Sequence, residues 1–150
     1  MPRADVNEVG KDWMNKYKIV QEVVVGGEQR QDSVYNGFNS LEKGTDIVVV
    51  HDGVRPFTTP QMITATVEAA QQHGAAITAI PVSDTVKQAA DGFVKQTVSR
   101  DGLWRVQTPQ AFQHGLLQQA FKKAQKDSYY GTDEGSLVEY LGERVKIVPG

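Results

Sequence analysis

Residues 46–56, Asp-Ile-Val-Val-Val-His-Asp-Gly-Val-Arg-Pro, decide the fold. A half-solvated strand alternates apolar with polar side chains, whereas an unbroken run of valines reads as a strand buried on both faces. Burial on both faces requires helices on both sides, which places the chain in the α/β class. Asp46 to His51 is therefore read as the strand, and His51 to Pro56 as the turn at its carboxyl end.

The same alternation of strand-length runs and helical periods continues outward from this stretch. Before it, Lys18 to Val25 (KIVQEVVV) reads as a β-branched strand closed by Gly26-Gly27, and Gln31 to Leu41 as a helix with Val34, Phe38 and Leu41 on one face. After it, Thr59-Pro60 is an N-cap followed by proline in the first turn, and Gly74 ends that helix at about His73. Ala75 to Val82 is a second buried strand. Helices from about Gly115 to Lys126 and from Asp133 to Leu141 precede a last strand at Val145 to Val148. The crossover pattern predicts a Rossmann-like, mostly parallel sheet flanked by helices.

Thr85 to Arg100 interrupts this rhythm. Two extended pieces, DTVKQ and GFVKQTVSR, meet at Asp91-Gly92, a strong hairpin signal. Neither face is apolar enough to form a core, so a protruding β-hairpin arm is expected at about residues 83–102, reaching toward a second copy of the protein. Leu103 to Phe112 reads only as the return to the domain. Trp13 and Trp104 are expected in the core or at an interface.

Composition bounds the function. The sequence has 150 residues, a net charge of -2 and no cysteine. Disulfides, thiolate metal sites and cysteine nucleophiles are excluded. The acidic balance argues against a nucleic-acid partner, whose phosphates need a basic surface. No apolar run approaches the roughly 18 residues of a membrane span, and no leader pattern opens the chain, so a single cytoplasmic domain with no membrane partner is expected. Both ends read as truncated: a helical stretch follows Met1-Pro2-Arg3 directly, with no first strand or glycine-rich turn, and the chain stops at Pro149-Gly150.

The sharpest chemical constellation is His51-Asp52-Gly53-Val54-Arg55-Pro56, because ligands in open α/β sheets bind outside the carboxyl ends of the strands. There Asp52 can hold a divalent metal or a ribose hydroxyl, and Arg55 offers a planar fork for phosphate; the plain alternative is a surface turn with an ion pair. In Gly26-Gly27-Glu28-Gln29-Arg30-Gln31-Asp32-Ser33 the glycines permit close backbone approach to a base or phosphate, while Asp32 or Ser33 caps the helix. Thr108, held extended by Pro109, displays its hydroxyl. Thr132-Asp133-Glu134 precedes a helix, where an N-cap or an anion site is expected. Arg100, Lys87 and Thr85 on the hairpin either solubilise it or serve a partner's cleft. His51, His73 and His114 lack the spacing of metal ligands.

Taken together, GGEQRQDSVYNG (26–37), VVVHDGVRPF (48–57), GAAITAIPVSDTVK (74–87), SRDGLWRVQTPQAF (99–112) and GTDEGSLVEYLG (131–142) resemble successive motifs of the 2-C-methyl-D-erythritol 4-phosphate cytidylyltransferases of non-mevalonate isoprenoid synthesis. The resemblance implies a nucleotidyltransferase that joins CTP to the alcohol phosphate and releases pyrophosphate, with Mg²⁺ or another divalent cation. It also implies a homodimer whose β-arms cover each other's sites. On this basis Gly27, Glu28 and Ser33 would lie against the cytidine, and Asp52 beside nucleotide and metal. Arg55, Thr85, Thr108 and Thr132 would surround the methylerythritol phosphate, and Arg100 would reach it from the partner's arm as a catalytic group alongside Asp52. Glu28 stands where the family often has aspartate, and Val54 where it has a small alanine. A DSVRPF form of the latter motif is typical of ribitol-5-phosphate cytidylyltransferases, which stay open as an alternative. The family's glycine-rich loop and its terminal Asn-Ile-Lys segment are not among these residues. A catalytically inactive nucleotide-binding or dimerisation module is the alternative of another class.

Overall fold

The computed structural model describes residues 3–150. The valine run forms strand β1 (Ile47–Val50) between helices α2 (Arg30–Asn39) and α3 (Pro60–His73), with α1 (Arg3–Lys16) preceding them. Thr59 caps α3 as its sequence predicts, accepting the Met62 N–H at 3.2 Å, with Pro60 at the first position. Strand β2 (Ala75–Pro81), the hairpin strands β3 (Val86–Ala90) and β4 (Phe93–Val98) and strand β5 (Trp104–Gln113) follow. The chain then forms α4 (His114–Lys126), α5 (Glu134–Leu141) and β6 (Lys146–Pro149).

The expected strand at Lys18–Val25 is absent: the segment is irregular backbone. A β-branched run becomes a strand only when a neighbour closes its hydrogen-bond ladder. No described strand lies beside this one, and the one bond anchoring its end comes from a side chain, Asn36 Nδ2 donating to the Val25 carbonyl at 3.0 Å.

The sheet is mixed, in the order β1-β5-β2-β6. β2 and β6 pair in parallel, while β5 is antiparallel to both of its neighbours. Three strands thus share one direction and β5 opposes them. The reversal follows from the hairpin: β2 leads into it and β5 returns from it, so the two must run side by side in opposite senses, from Pro81 opposite Trp104 to Ala75 opposite Phe112. Leu103–Phe112 is therefore a central strand where the sequence suggested only a connection. Pro109 and the polar Gln107-Thr108 in its middle hid it. Those residues sit at an irregularity in the β2–β5 register, between the Ile77–Gln110 and Ala79–Val106 pairs.

Helices cover both faces. On one, Val48, Ile77 and Phe112 pack against Phe38 of α2, Leu117 and Phe121 of α4, and Leu137 and Val138 of α5. On the other, Ala76, Ala111 and Val148 meet Ala70 of α3. The hairpin has no such support: its turn is built from Asp91 (φ 50°) and Gly92 (φ 81°), and nearly all its residues are exposed. The left-handed backbone at both turn residues matches the right-handed twist of the flanking strands. Trp13 and Trp104 are both exposed, so neither is a core residue. Among the described residues no helix is long and apolar enough to cross a membrane.

These burials predict contrasting costs. Phe121→Ala, at a fully enclosed ring, is expected to lose about 3–5 kcal/mol in chemical denaturation. Phe93→Ala, at a ring 79% exposed on the hairpin, should change the stability of the single chain by no more than about 0.5 kcal/mol.

Candidate functional site

The turn after β1 is closed by hydrogen bonds that its own residues dictate. His51 Nε2 lies 3.1 Å from the Arg55 carbonyl, and Nδ1 lies 2.9 Å from Thr108 Oγ1. A carbonyl only accepts, so the network assigns the proton to Nε2. The Thr108 hydroxyl accepts the Asp52 N–H at 3.1 Å and gives its own proton to Nδ1. Thr108 is thus buried and fully engaged, where its sequence suggested a displayed hydroxyl. His51 serves as the strut of the turn.

Asp52, Arg55, Thr108 and Thr132 meet around one cavity of about 240 Å³, together with Arg30, Val106, Gln107, Gln110 and Asp133. Four chain segments supply its walls: the start of α2, the turn after β1, the irregular stretch of β5, and the start of α5. Asp133 caps α5 by accepting the Ser136 N–H at 2.9 Å. Its other oxygen takes the Gln110 amide at 2.7 Å, and Gln110 Oε1 accepts the Gly135 N–H at 3.1 Å. Gln110 is 1% exposed, so these bonds tie α5 rigidly to the sheet.

Arg30 and Glu134 complete the site, and no local sequence pattern marks the two as a pair. Arg30 Nη1 contacts both Glu134 oxygens, at 2.8 and 3.0 Å, while Nη2 reaches Asp52 Oδ1 at 3.3 Å. Arg55 Nε meets the other Asp52 oxygen at 3.2 Å. Glu134, Arg30, Asp52 and Arg55 form a line of alternating charge along the cavity. Slight burial works to raise the Asp52 pKa, but the hydrogen bonds and charges of Arg55 and Arg30 outweigh it and hold the carboxyl below its ordinary value. Burial likewise works to lower Arg30, and its two carboxylate partners, Glu134 first, keep it above the usual guanidinium value. For Glu134 burial wins, and the carboxyl is raised despite Arg30.

Other expected site residues lie apart from this cavity. A side chain at Gly27 would come within 2.1 Å of Asp32 Cβ, so the close approach this glycine permits is that of α2 itself. Its N–H donates to Ser33 Oγ at 3.0 Å, and Asp32 accepts the Gln29 N–H at 3.0 Å. Glu28 is exposed on the same loop, and Thr85 is exposed at the base of the hairpin. Arg100, also exposed, donates to the Ser83 carbonyl. Val54 is 88% exposed and does not line the cavity holding Asp52. His114 stacks on Phe38 at 4.7 Å, a packing role.

Arg30→Met leaves the Glu134 carboxylate buried without its cation, at an expected cost of about 3–5 kcal/mol. The folded-state pKa of Glu134 then rises further above its unfolded value, so the folded chain holds a proton that the unfolded chain releases. Stability is retained below the unfolded pKa and lost as pH rises through the folded one. Denaturant midpoints should therefore separate parent and variant more near about pH 8 than near about pH 5.

Comparison with known proteins accords with this geometry. The family model for 2-C-methyl-D-erythritol 4-phosphate cytidylyltransferase matches residues 4–150. The protein of that name from Syntrophus aciditrophicus is 45% identical across 100% of this chain and 65% of its own length. The one from Pelotomaculum thermopropionicum is 54% identical over 87% of this chain and 56% of its own. The crystal structure of 4-diphosphocytidyl-2C-methyl-D-erythritol synthase from Anaerococcus prevotii superposes with a TM-score of 0.87 at 34% identity, covering 99% of this chain and 69% of that one. The chain thus spans between about half and two thirds of the length of these curated relatives. With that family model matching residues 4–150, relatives of that name at 45% and 54% identity and a superposable fold, the chain belongs to the 2-C-methyl-D-erythritol 4-phosphate cytidylyltransferase family.

Proposed function

We propose that the protein containing this chain transfers cytidylyl from CTP to 2-C-methyl-D-erythritol 4-phosphate, releasing pyrophosphate, in isoprenoid precursor synthesis in the cytoplasm. The observation that carries this reading is the convergence of Asp52, Arg55, Thr108 and Thr132 on one cavity at the carboxyl end of β1. A volume of about 240 Å³ lies below the roughly 300–1,000 Å³ of sites that enclose a whole drug-sized ligand. It suits a phosphorylated polyol, with the nucleotide entering from the side of the Gly27–Ser33 loop.

The chemistry asks for positioning more than for proton transfer. A phosphomonoester, with a second pKa of about 6, is already largely dianionic near neutrality. Its oxygen attacks the α-phosphorus of CTP in line, and the bond to the departing pyrophosphate breaks, with no general base required. Arg55 and Thr132 would orient the alcohol phosphate, while Gly27, Glu28 and Ser33 would hold the cytidine. Mg²⁺, or a similar divalent cation, would be held by Asp52 and would neutralise charge on the transferring phosphoryl group. Asp52 is part-exposed to the cavity, and among the described residues no cluster of three or more His, Cys, Asp or Glu stands together. That donor set fits an ion that arrives with nucleotide phosphates and takes a single carboxylate from the protein.

Homodimerisation through the hairpin, with Arg100 of the partner subunit reaching the alcohol phosphate, completes the proposal. Its support is a hairpin exposed along both strands with Phe93 and Val94 uncovered. Thr85, at the arm's base, would join that side of the site.

In the full-length gene product, pyrophosphate release is expected with CTP and methylerythritol phosphate, and much less with ribitol 5-phosphate. The reverse preference would assign the ribitol enzyme, and CTP binding without turnover of either alcohol would assign a nucleotide-binding module. Asp52→Asn should lower kcat on the order of 10²–10³-fold. Arg100→Ala should also lose most activity, and mixing the two variants should restore part of it, because each heterodimer then holds one intact composite site. Verified heterodimers without recovery would refute action in trans.

A further inference from the structure

Arg30 occupies a place that local rules disfavour. It is the first residue of α2, where the helix dipole repels a cation. Two carboxylates on other segments offset that repulsion: Glu134, the first residue of α5, and Asp52 in the turn after β1. The Glu134 contact is two-pronged and its carboxylate is 1% exposed, so that end of the bridge is fixed. The Asp52 contact is longer and borders the cavity.

The two walls that Arg30 joins also meet through the sheet, where Gln110 of β5 holds Asp133 and Gly135, but among the described residues Arg30 is their link by ion pairs. One carries Asp52, Arg55 and Thr108; the other carries Thr132 and Asp133. Within the first, His51 and Thr108 fix the turn. Within the second, Gln110 and Ser136 fix Asp133. Gln31, the next residue of α2, accepts the Gly131 N–H at 2.9 Å and donates to the Tyr129 carbonyl at 3.2 Å, so the second wall is also tied to α2. Among the described residues, Arg30 carries that tie across to Asp52 by a side-chain ion pair.

We propose that Arg30 and Glu134 are positioning residues that set the spacing between the Asp52–Arg55 wall and the Thr132 wall. This rests on the reading of the cavity as the site of the alcohol phosphate. Neither residue need touch the substrate. A guanidinium fork suits the task because its two nitrogens lie in one plane at fixed separation, which a lysine ammonium cannot reproduce. Arg55, Thr108 and Thr132 on these walls are read as serving the alcohol phosphate and Asp52 as serving the nucleotide's ion, so loosening the walls falls more heavily on the alcohol phosphate than on CTP.

The test uses the full-length gene product carrying Arg30→Met and Glu134→Met together. This pair removes the bridge without leaving a buried charge, a replacement that folded proteins tolerate. The KM for methylerythritol phosphate should rise about tenfold, as expected for losing one charge-assisted contact, and that for CTP by a clearly smaller factor. Amide hydrogen exchange without substrate should quicken about tenfold at both residues 52–55 and residues 131–133, at an unchanged global denaturation midpoint. Arg30→Lys should fall between parent and double variant, keeping the charge but not the fork. Parent-like exchange and parent-like KM in the double variant would overturn the proposal. So would an equal rise in both KM values together with a lowered midpoint, which marks a purely structural pair. If the parent turns over neither alcohol, the functional reading fails, while coupled exchange of the two walls still decides whether the bridge positions them.

Discussion

A buried amide at the centre of the sheet governs where the cavity lies. Gln110 sits on β5, 1% exposed, between Val50 of β1 and Ile77 of β2. A side-chain amide in such a place must find protein partners or lose a large part of its solvation energy. Besides the Gln107 carbonyl on its own strand at 3.3 Å, its partners are the Asp133 carboxylate and the Gly135 N–H, both at the start of α5. Satisfying Gln110 therefore brings the start of a helix over the middle of the sheet, beside the end of β1. Thr132 and Glu134 flank that anchor and inherit their places from it. Glu134, once buried, needs a cation, and Arg30 supplies it; Arg30 in turn reaches Asp52. The sequence of dependence runs from one unsatisfied amide to the carboxylate proposed to meet the metal.

The electrostatics divide the labour between the two acids. Glu134 and Asp52 share Arg30, yet their environments push them in opposite directions, burial raising one and paired guanidinium groups lowering the other. A part-exposed carboxylate with depressed pKa stays ionised and can exchange partners at little desolvation cost. A buried one with a single cation cannot, because giving up that cation leaves an uncompensated charge. Asp52 is thus suited to meet incoming ligands and Glu134 to hold Arg30 in place. Among the described residues Arg55 has Asp52 as its one carboxylate partner, so an ion that occupied Asp52 would free its guanidinium for phosphate.

How much of this could be read from the sequence differs by element for physical reasons. The Thr59-Pro60 cap and the Asp91-Gly92 turn were legible because each depends on its own residues; the valine run does form a strand, but Val49 is 40% exposed, so it is not buried on both faces as its composition suggests. The strand expected at Lys18–Val25 and the strand overlooked at Trp104–Gln113 failed in opposite directions for one reason, that ladder formation depends on neighbours. A β-branched segment without a partner strand stays irregular, and a segment with Pro109 and polar residues becomes a central strand when flanked on both sides. In the site, Asp52 and Arg55 were legible because a strand's carboxyl end is a known address. Arg30 and Glu134 are 104 residues apart, and no local pattern pairs them. The signal that existed was an arginine at the start of a helix, against the dipole.

The hairpin raises a stability question that the single chain does not answer. A two-stranded ribbon is marginal in water, since each strand has one edge unpaired and neither face is covered. Here the turn chemistry and cross-strand contacts such as Lys87 with Thr97 at 2.6 Å and Gln96 with Gln88 at 2.6 Å contribute modestly. They do nothing for Phe93 and Val94, whose exposure works against solubility. A ribbon of this kind persists when something covers it. The proposed second copy would do so while placing Arg100 near a site that otherwise relies on its own two guanidinium groups. Under that arrangement the arm's poor local packing is the condition of its function: an arm that satisfied itself against its own domain would have nothing left to offer a partner.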